Sequence, residues 1–242
     1  PSGAIGWIVS EEAFMQPLRK VISKLKLRAS YGQVGNANLG GRRFAYLSTI
    51  TDDYDTLNMY KWGLDSSYGL TGMAEGEFAV QDLTWEIVNK MNLGVELGFL
   101  NGMIDLQLDY FDERRKDIFM PRESVPMTAG FMKQPWKNFG KVTNQGVEVS
   151  LNVNKQFGKD LFVSLMGTFT YAHNEITEKD EPSAVVGTNR AETGHPVGQL
   201  TGYIAEGLFT EDDFEDVSTG KLKEGIPTQS FVSKLRPGDI RY

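Results

Sequence analysis

The chain has 242 residues, no cysteine and a formal net charge of −7. These values exclude disulfide scaffolds, cysteine–zinc sites and cysteine nucleophiles, and they argue against nucleic acid as a partner. No run of about 18 apolar residues occurs, so no transmembrane helix is expected; barrel strands need only about 9–11 residues each, and their alternation keeps mean hydropathy low.

Ala4 to Val9 reads as a short strand, and Ser10-Glu11-Glu12 reads as the capped start of a short helix reaching about Arg19. Leu25, Leu27, Ala29 and Tyr31 alternate with Lys26, Arg28 and Ser30, which is the period of a strand with one apolar face. From Gly32 to about Glu77 the chain is rich in Gly, Asp, Asn, Tyr and Ser and reads as a long loop, with one short hairpin near Phe44 to Ile50. Trp85 to Phe99 is the next strand. Asn101-Gly102 supplies the positive φ of a hairpin turn, and a strand follows to about Phe119. In this hairpin Met91, Leu93, Val95, Leu97, Phe99, Ile104, Leu106, Leu108 and Tyr110 share one face, whereas Glu96, Asp105, Gln107 and Asp109 share the other.

Pro121 to Thr143 reads as a second loop, broken by Pro126 and Pro135. Val147, Val149, Leu151 and Val153 then alternate with Glu148, Ser150, Asn152 and Asn154. A turn at Gln156–Asp160 leads into a strand over Leu161–Tyr171. Beyond His173 the chain is mostly loop, with a capping box at Thr210-Glu211-Asp212-Asp213. The acidic excess lies here: residues 173–242 hold 13 acidic and 7 basic residues.

Connections alternate between short (Ser10–Lys24, Leu100–Met103, Gln156–Asp160) and long (Gly32–Asp82, Pro121–Thr143, and from His173 onward). All long loops therefore leave one end of the sheet, as in outer-membrane barrels. Tyr31, Trp85, Tyr110 and Tyr171 lie on the apolar face near the long-loop end, and Phe99 lies on it at the other end. That is the placement of an interfacial aromatic girdle.

Chemistry-bearing motifs are scarce. His173 and His195 are 22 positions apart without a carboxylate at ligand spacing. Asp52, Asp53 and Asp55 lack the glycine and closing glutamate of a calcium loop. Gly32, Gly35, Gly40 and Gly41 lack the lysine and helix of a phosphate loop, and no G-x-S-x-G or H-E-x-x-H sequence occurs. No catalytic residue, metal site or cofactor is expected. Tyr60, Trp62, Tyr68 and Trp136 are loop aromatics suited to stacking on sugars or gripping peptides, or to packing their own loops.

Several words in fixed order carry a resemblance. Gly6-Trp7-Ile8-Val9-Ser10-Glu11-Glu12 precedes Leu25-Lys26-Leu27-Arg28-Ala29-Ser30-Tyr31-Gly32. Asn138-Phe139-Gly140-Lys141-Val142-Thr143-Asn144-Gln145-Gly146-Val147-Glu148 lies mid-chain, and Gly194-His195-Pro196-Val197-Gly198 and Pro237-Gly238-Asp239-Ile240-Arg241-Tyr242 lie in the tail. In these the chain resembles the SusC/RagA-type TonB-dependent outer-membrane transporters. The resemblance implies an all-β fold, an antiparallel transmembrane β-barrel segment of about six strands out of 22, with long extracellular loops. On that basis residues 1–242 form part of the barrel domain, with the plug and closing strands lying elsewhere in a longer protein. It further implies TonB-linked uptake of oligosaccharides or peptides, with TonB and a SusD-type surface lipoprotein as partners. Leu93, Val95, Leu97, Leu106, Leu108, Val149 and Leu151 would then face outer-membrane lipid, and Glu96, Asp105, Gln107, Asp109, Glu148 and Asn152 the lumen. The competing expectations are a soluble β-sandwich carbohydrate-binding module, which leaves the one-sided loops unexplained, and a β-rich hydrolase, which needs a catalytic constellation the chain lacks.

Overall fold

A computed structural model describes residues 1–51, 60–65, 68–70, 73–131, 133–229, 231–232 and 234–242. The acidic cluster Asp52, Asp53 and Asp55 lies outside them, as do the side chains of Tyr60, Trp62 and Tyr68. The chain falls into two compact units, Pro1–Gln199 and Leu200–Tyr242.

The first unit is built on one six-stranded antiparallel sheet. Its strands are β1 (Ser2–Ile8), β2 (Ile22–Asn36), β3 (Glu86–Phe99), β4 (Ile104–Pro121), β5 (Trp136–Phe157) and β6 (Leu161–Glu178). Each pairs with its sequence neighbour, and the two outer strands do not close on each other. The register confirms the alternation across the full width. One row runs Trp7, Leu27, Val95, Leu108, Val149, Phe169, and the next Ile5, Ala29, Leu93, Tyr110, Val147, Tyr171. The opposite face carries rows such as Gly6, Arg28, Gly94, Asp109, Glu148, Thr170.

The strands are longer than their alternating stretches predict. β2 continues past Tyr31 to Asn36, β5 starts at Trp136 and β6 reaches Glu178. Polar residues in these extensions carry no hydrophobic period, yet each finds a neighbouring strand with which to complete the ladder. The loop expected over Pro121–Thr143 accordingly shrinks, and Trp136 pairs opposite Pro121 as a strand residue rather than a loop residue.

The helix expected after Ser10 is instead two 3-10 segments, Val9–Glu11 and Ala13–Leu18. Ser10 does not cap; it is buried, and its carbonyl accepts Arg19 Nε at 2.8 Å. The stretch is too short to meet the cost of helix nucleation, and Pro17 removes a donor. The hairpin expected at Phe44 to Ile50 is a turn closed by Leu47 N–H donating to Phe44 C=O at 2.8 Å. Ile50–Thr51 pairs instead with Ala74–Glu75, and Tyr60–Trp62 with Tyr68–Leu70. At the hairpin of β3 and β4, Leu100, Asn101 and Gly102 all take positive φ (51°, 56° and 83°). Asn-Gly was legible there; the strained Leu100 was not.

Near the long-loop end β4 is interrupted. Its pairing with β5 shifts between Arg115 and Ile118, and Asp117 takes φ 59°. The extra residues change the parity of the strand, so Ile118 and Met120 lie on the same face as Glu113 and Arg115. Asn138 holds this bulge. Its Nδ2 donates to Asp117 C=O at 2.8 Å and Thr84 C=O at 2.9 Å, and its Oδ1 accepts Thr84 N–H at 3.0 Å.

The second unit has its own core of Phe209, Phe214 and Leu235, with Leu222, Ile226 and Val232 packed against it. Two short strand pairs frame it, Gly207–Leu208 with Ile240–Arg241 and Phe214–Asp216 with Lys221–Leu222. The expected capping box forms on the 3-10 segment Glu211–Asp213, with Asp213 Oδ2 accepting Thr210 N–H at 2.6 Å. Asp216 accepts the Ser218 hydroxyl at 2.7 Å and its N–H at 2.8 Å. These bonds, the hydroxyl's foremost, push its carboxyl down to about 2.

Replacing Asn138 with Ala removes three hydrogen bonds at one point and should cost about 1–3 kcal/mol of local stability. Hydrogen exchange on the full-length protein should show protection lost at 116–118 while the Phe99–Ile104 end of the hairpin is unchanged.

Candidate functional site

The polar face is an ion-pair network spread over three strands. Arg28 on β2 stands opposite Gly94 on β3, and Gly94 stands opposite Asp109 on β4. Because Gly94 has no side chain, the Arg28 guanidinium crosses the whole of β3. Its Nη2 reaches both Asp109 oxygens at 2.7 Å. A Cβ at position 94 would sit 2.5 Å from Arg28 Nε and 2.6 Å from Asp109 Oδ1, so the glycine is required by the pair it lets through. Asp109 is 7% exposed and also accepts Gln107 Nε2 at 2.8 Å.

Glu96 gathers the remaining cations. Lys24 Nζ lies 2.7 Å from its Oε2, and Lys26 Nζ and Arg28 Nε each lie 3.4 Å from its Oε1. Gly98 likewise stands in register between Lys24 and Asp105, where a Cβ would come within 2.9 Å of Lys24 Cβ and 3.2 Å of Asp105 Oδ1. The carboxylates Glu96, Asp105, Asp109 and Glu148, with Gln107 and Asn152, share this face. The cations Lys24, Lys26 and Arg28 were not among the candidate residues, although their parity on β2 was the available signal. The crossing glycines left no signal in alternation, because a glycine belongs to neither face.

The apolar face is bare of side-chain ion pairs along its central rows. Leu93, Val95, Leu97, Leu106, Leu108, Val149 and Leu151 are half-buried or exposed. On β3 the apolar run from Phe99 to Leu93, matched on both neighbouring strands, covers roughly 20 Å at about 3.4 Å per residue. The next row, Tyr31, Met91, Asp112, Gln145 and His173, is mixed and carries the Asp112–Arg114 pair at 3.0 Å. Above it the row Gln33, Asn89, Arg114, Thr143, Glu175 is wholly polar. Near that boundary lie Tyr31, Tyr110 and Tyr171, all exposed, whereas Trp85, which precedes Glu86 opposite Asn36, lies beyond the polar row. The Trp85 ring lies against Gly35, where a Cβ would come within 2.7 Å of it. Phe99 pairs with Ile104 at the far edge.

The loop aromatics are only partly placed. Tyr60, Trp62 and Tyr68 lie on the paired strands Tyr60–Trp62 and Tyr68–Leu70. The Trp136 ring is already engaged: Phe119 packs on it at 5.1 Å and the Arg42 guanidinium covers it at 4.2 Å. Arg42 in turn pairs with Glu77 at 3.2 Å.

Two long connections are tied together at Asp180, which is buried. It accepts the Ser124 hydroxyl at 2.8 Å and the Ser124 N–H at 3.0 Å, and Arg122 Nε lies 3.1 Å away. Burial alone would push the Asp180 carboxyl up, but the Ser124 and Arg122 bonds together outweigh it, and the net shift is downward.

Two outcomes are expected. Gly94→Val should force Arg28 off Asp109 and leave a buried carboxylate unpaired, costing about 3–5 kcal/mol, read as a lower denaturant midpoint of the refolded full-length barrel. The depressed Asp180 carboxyl contributes stability that is complete above the unfolded carboxyl value of about 3.9 and is lost as pH falls through the lower folded value. Exchange protection of the Ser124 amide should therefore hold down to about pH 4 and then fall, and Asp180→Asn should abolish that acid step.

Comparison with known proteins places this architecture. Residues 1–222 match the family model described as TonB dependent receptor-like, beta-barrel. The chain is 34% identical over 181 residues to the TonB-dependent receptor SusC of Bacteroides thetaiotaomicron, covering 74% of this chain and 17% of that protein. It is 28% identical over 214 residues to the TonB-dependent receptor P39 of Formosa agariphila, covering 88% of this chain and 19% of that one. Its fold is similar to the RagAB peptide importer in the closed-closed state, with a TM-score of 0.63 and 23% identity over 91% of this chain and 22% of the other. The chain thus spans about a fifth of the length of these relatives. An open sheet with one apolar and one ionic face is what a stretch of barrel wall requires, and the chain belongs to the TonB-dependent receptor β-barrel family, among its SusC/RagA-type members.

Proposed function

We propose that the full-length protein is an active transporter of the Gram-negative outer membrane, drawing energy through TonB and importing oligosaccharides or peptides together with a SusD-type surface lipoprotein. The observation that carries this is the register. Six strands align unbroken apolar rows on one face and an ion-pair network on the other. A wall between lipid and water needs that division, since a barrel satisfies every backbone group internally and leaves only side chains to meet the two solvents.

Leu93, Val95, Leu97, Leu106, Leu108, Val149 and Leu151 then face lipid, with Tyr31, Tyr110 and Tyr171 at the outer interface, Trp85 farther out beyond it, and Phe99 at the inner one. Glu96, Asp105, Gln107, Asp109, Glu148 and Asn152 line the lumen. Their work is passage rather than catalysis: they keep the wall wet and offer polar contacts to plug, cargo and water. Leu100–Met103 is a periplasmic turn, and the long connections are extracellular, where Tyr60, Trp62, Tyr68 and Trp136 are candidates for cargo contact. A soluble β-sandwich would need a second sheet over the apolar rows. Among the described residues of this unit none covers them, and Leu93 is 46% exposed.

Val95→Arg places a cation in lipid at a cost of about 2–4 kcal/mol near the midplane, and it should block barrel insertion. Gln107→Arg lies on the lumen side beside Asp109 and should insert normally. Outer-membrane fractions of cells expressing each full-length variant check this; equal assembly of both would overturn the assignment of faces.

A further inference from the structure

The lumen-side face is mainly polar through its lower and middle rows, Phe111 and Met166 apart, but it becomes aliphatic near the long-loop end. There Val88, Ile118, Met120, Val142 and Ile176 converge, joined by Val197 from the connection after β6, around a cavity of about 590 Å³. Val88 and Ile176 are buried. Three local features build it. The bulge at Lys116–Asp117 turns Ile118 and Met120 onto this face. Gly140 leaves them room, since a Cβ there would come within 2.9 Å of Met120 Cε and 3.1 Å of Ile118 Cβ. The segment 194–197 supplies a side wall by pairing with the end of β6: Gly194 N–H donates to Ile176 C=O at 2.8 Å, Ile176 N–H to His195 C=O at 2.9 Å, and Val197 N–H to Asn174 Oδ1 at 2.7 Å.

The rim charges are already neutralised in pairs. Arg115 lies 3.2 Å from Glu86, Lys90 2.7 Å from Glu113, and Lys179 2.6 Å from Glu192. The cavity therefore presents aliphatic surface within a rim of both charge signs. No aromatic residue lines it among the described residues, so it lacks the flat platform on which a pyranose ring stacks. A pocket of this size, apolar within a charged rim, suits a branched aliphatic side chain whose backbone stays in the polar surround. The rows that form it, from Glu113, Asn144 and Asn174 outward, begin just beyond the level of Tyr110 and Tyr171.

We infer that this cavity is a cargo subsite that seats an aliphatic side chain of an extended peptide near the outer mouth of the lumen. The inference rests on the transport function proposed above and narrows its cargo from oligosaccharide or peptide to peptide. Occupation of the same cavity by the protein's own plug is the competing outcome.

The test uses the full-length transporter, purified from outer membranes with its lipoprotein. The probes are a fluorescent nonapeptide containing leucine and lysine, and maltoheptaose. Val142→Asp puts a charge in the cavity, and Met120→Gln is a near-isosteric change that keeps the fold if the first does not. The wild-type protein should bind the peptide and not maltoheptaose, and each folded variant should weaken peptide binding at least tenfold. Unchanged peptide affinity in folded Met120→Gln overturns the subsite, and if its melting temperature also falls, the cavity belongs to the plug. Wild-type binding of maltoheptaose but not peptide, with TonB-dependent uptake of the sugar by intact cells, overturns the subsite and leaves the transport function standing. Lack of TonB-dependent uptake of either probe overturns both.

Discussion

Register is the constraint on which the rest of this sheet depends. Side chains alternate with a period of two, so a slip of one residue between any two strands would carry Val95 or Leu108 to the ionic face and Asp109 to the apolar one. Six strands keep the same parity from Trp7 across to Phe169. That agreement gives one sheet two chemically distinct faces. Hydrogen bonding alone would not enforce it, because a ladder slipped by one residue can still pair its backbone; the cost of placing Asp109 or Glu96 in an apolar environment does.

The ion-pair network gives that parity a second lock. Arg28 and Asp109 sit two strands apart and meet only because Gly94 lies between them in register. A shift of either flanking strand would interpose a side chain and separate the pair. The same residues thus serve two levels at once: they make one face of the sheet ionic, and they make β2, β3 and β4 interdependent. Glu96, held by Lys24 and Lys26, extends the coupling along β2. Isolated surface pairs contribute little, but a buried carboxylate tied to its cation is expensive to break.

Strand length then separates two zones. A crossing strand needs about 9–11 residues, whereas β3, β4, β5 and β6 have 14, 18, 22 and 18. The surplus lies at the long-loop end, beyond the level of Tyr110 and Tyr171. There the strands admit a bulge, a left-handed Asp117 and an apolar cavity on the face that is ionic elsewhere. The connections are ordered by side chains rather than by regular structure, with Asp180 tying the connection after β4 to the end of β6, and Arg42 lying over Trp136.

The sequence by itself determined the alternation, and with it which residues share a face, the order of short and long connections, the Asn101-Gly102 turn and the capping box at Thr210. All of these are local: a strand's parity and a turn's φ are properties of a few consecutive residues. The family words added membership, which alternation alone does not supply. Tertiary structure decided what depends on partners far along the chain. Trp136 became a strand residue because Pro121 lies opposite it, and Ser10 a buried acceptor because Arg19 folds back to it. Arg28 became the partner of Asp109 because a glycine on the intervening strand fell in register between them. The rim cavity had no sequence signature, since its apolar residues come from four strands and a loop, and Ile118 and Met120 reach that face only through a change of parity within β4 that its alternation does not announce.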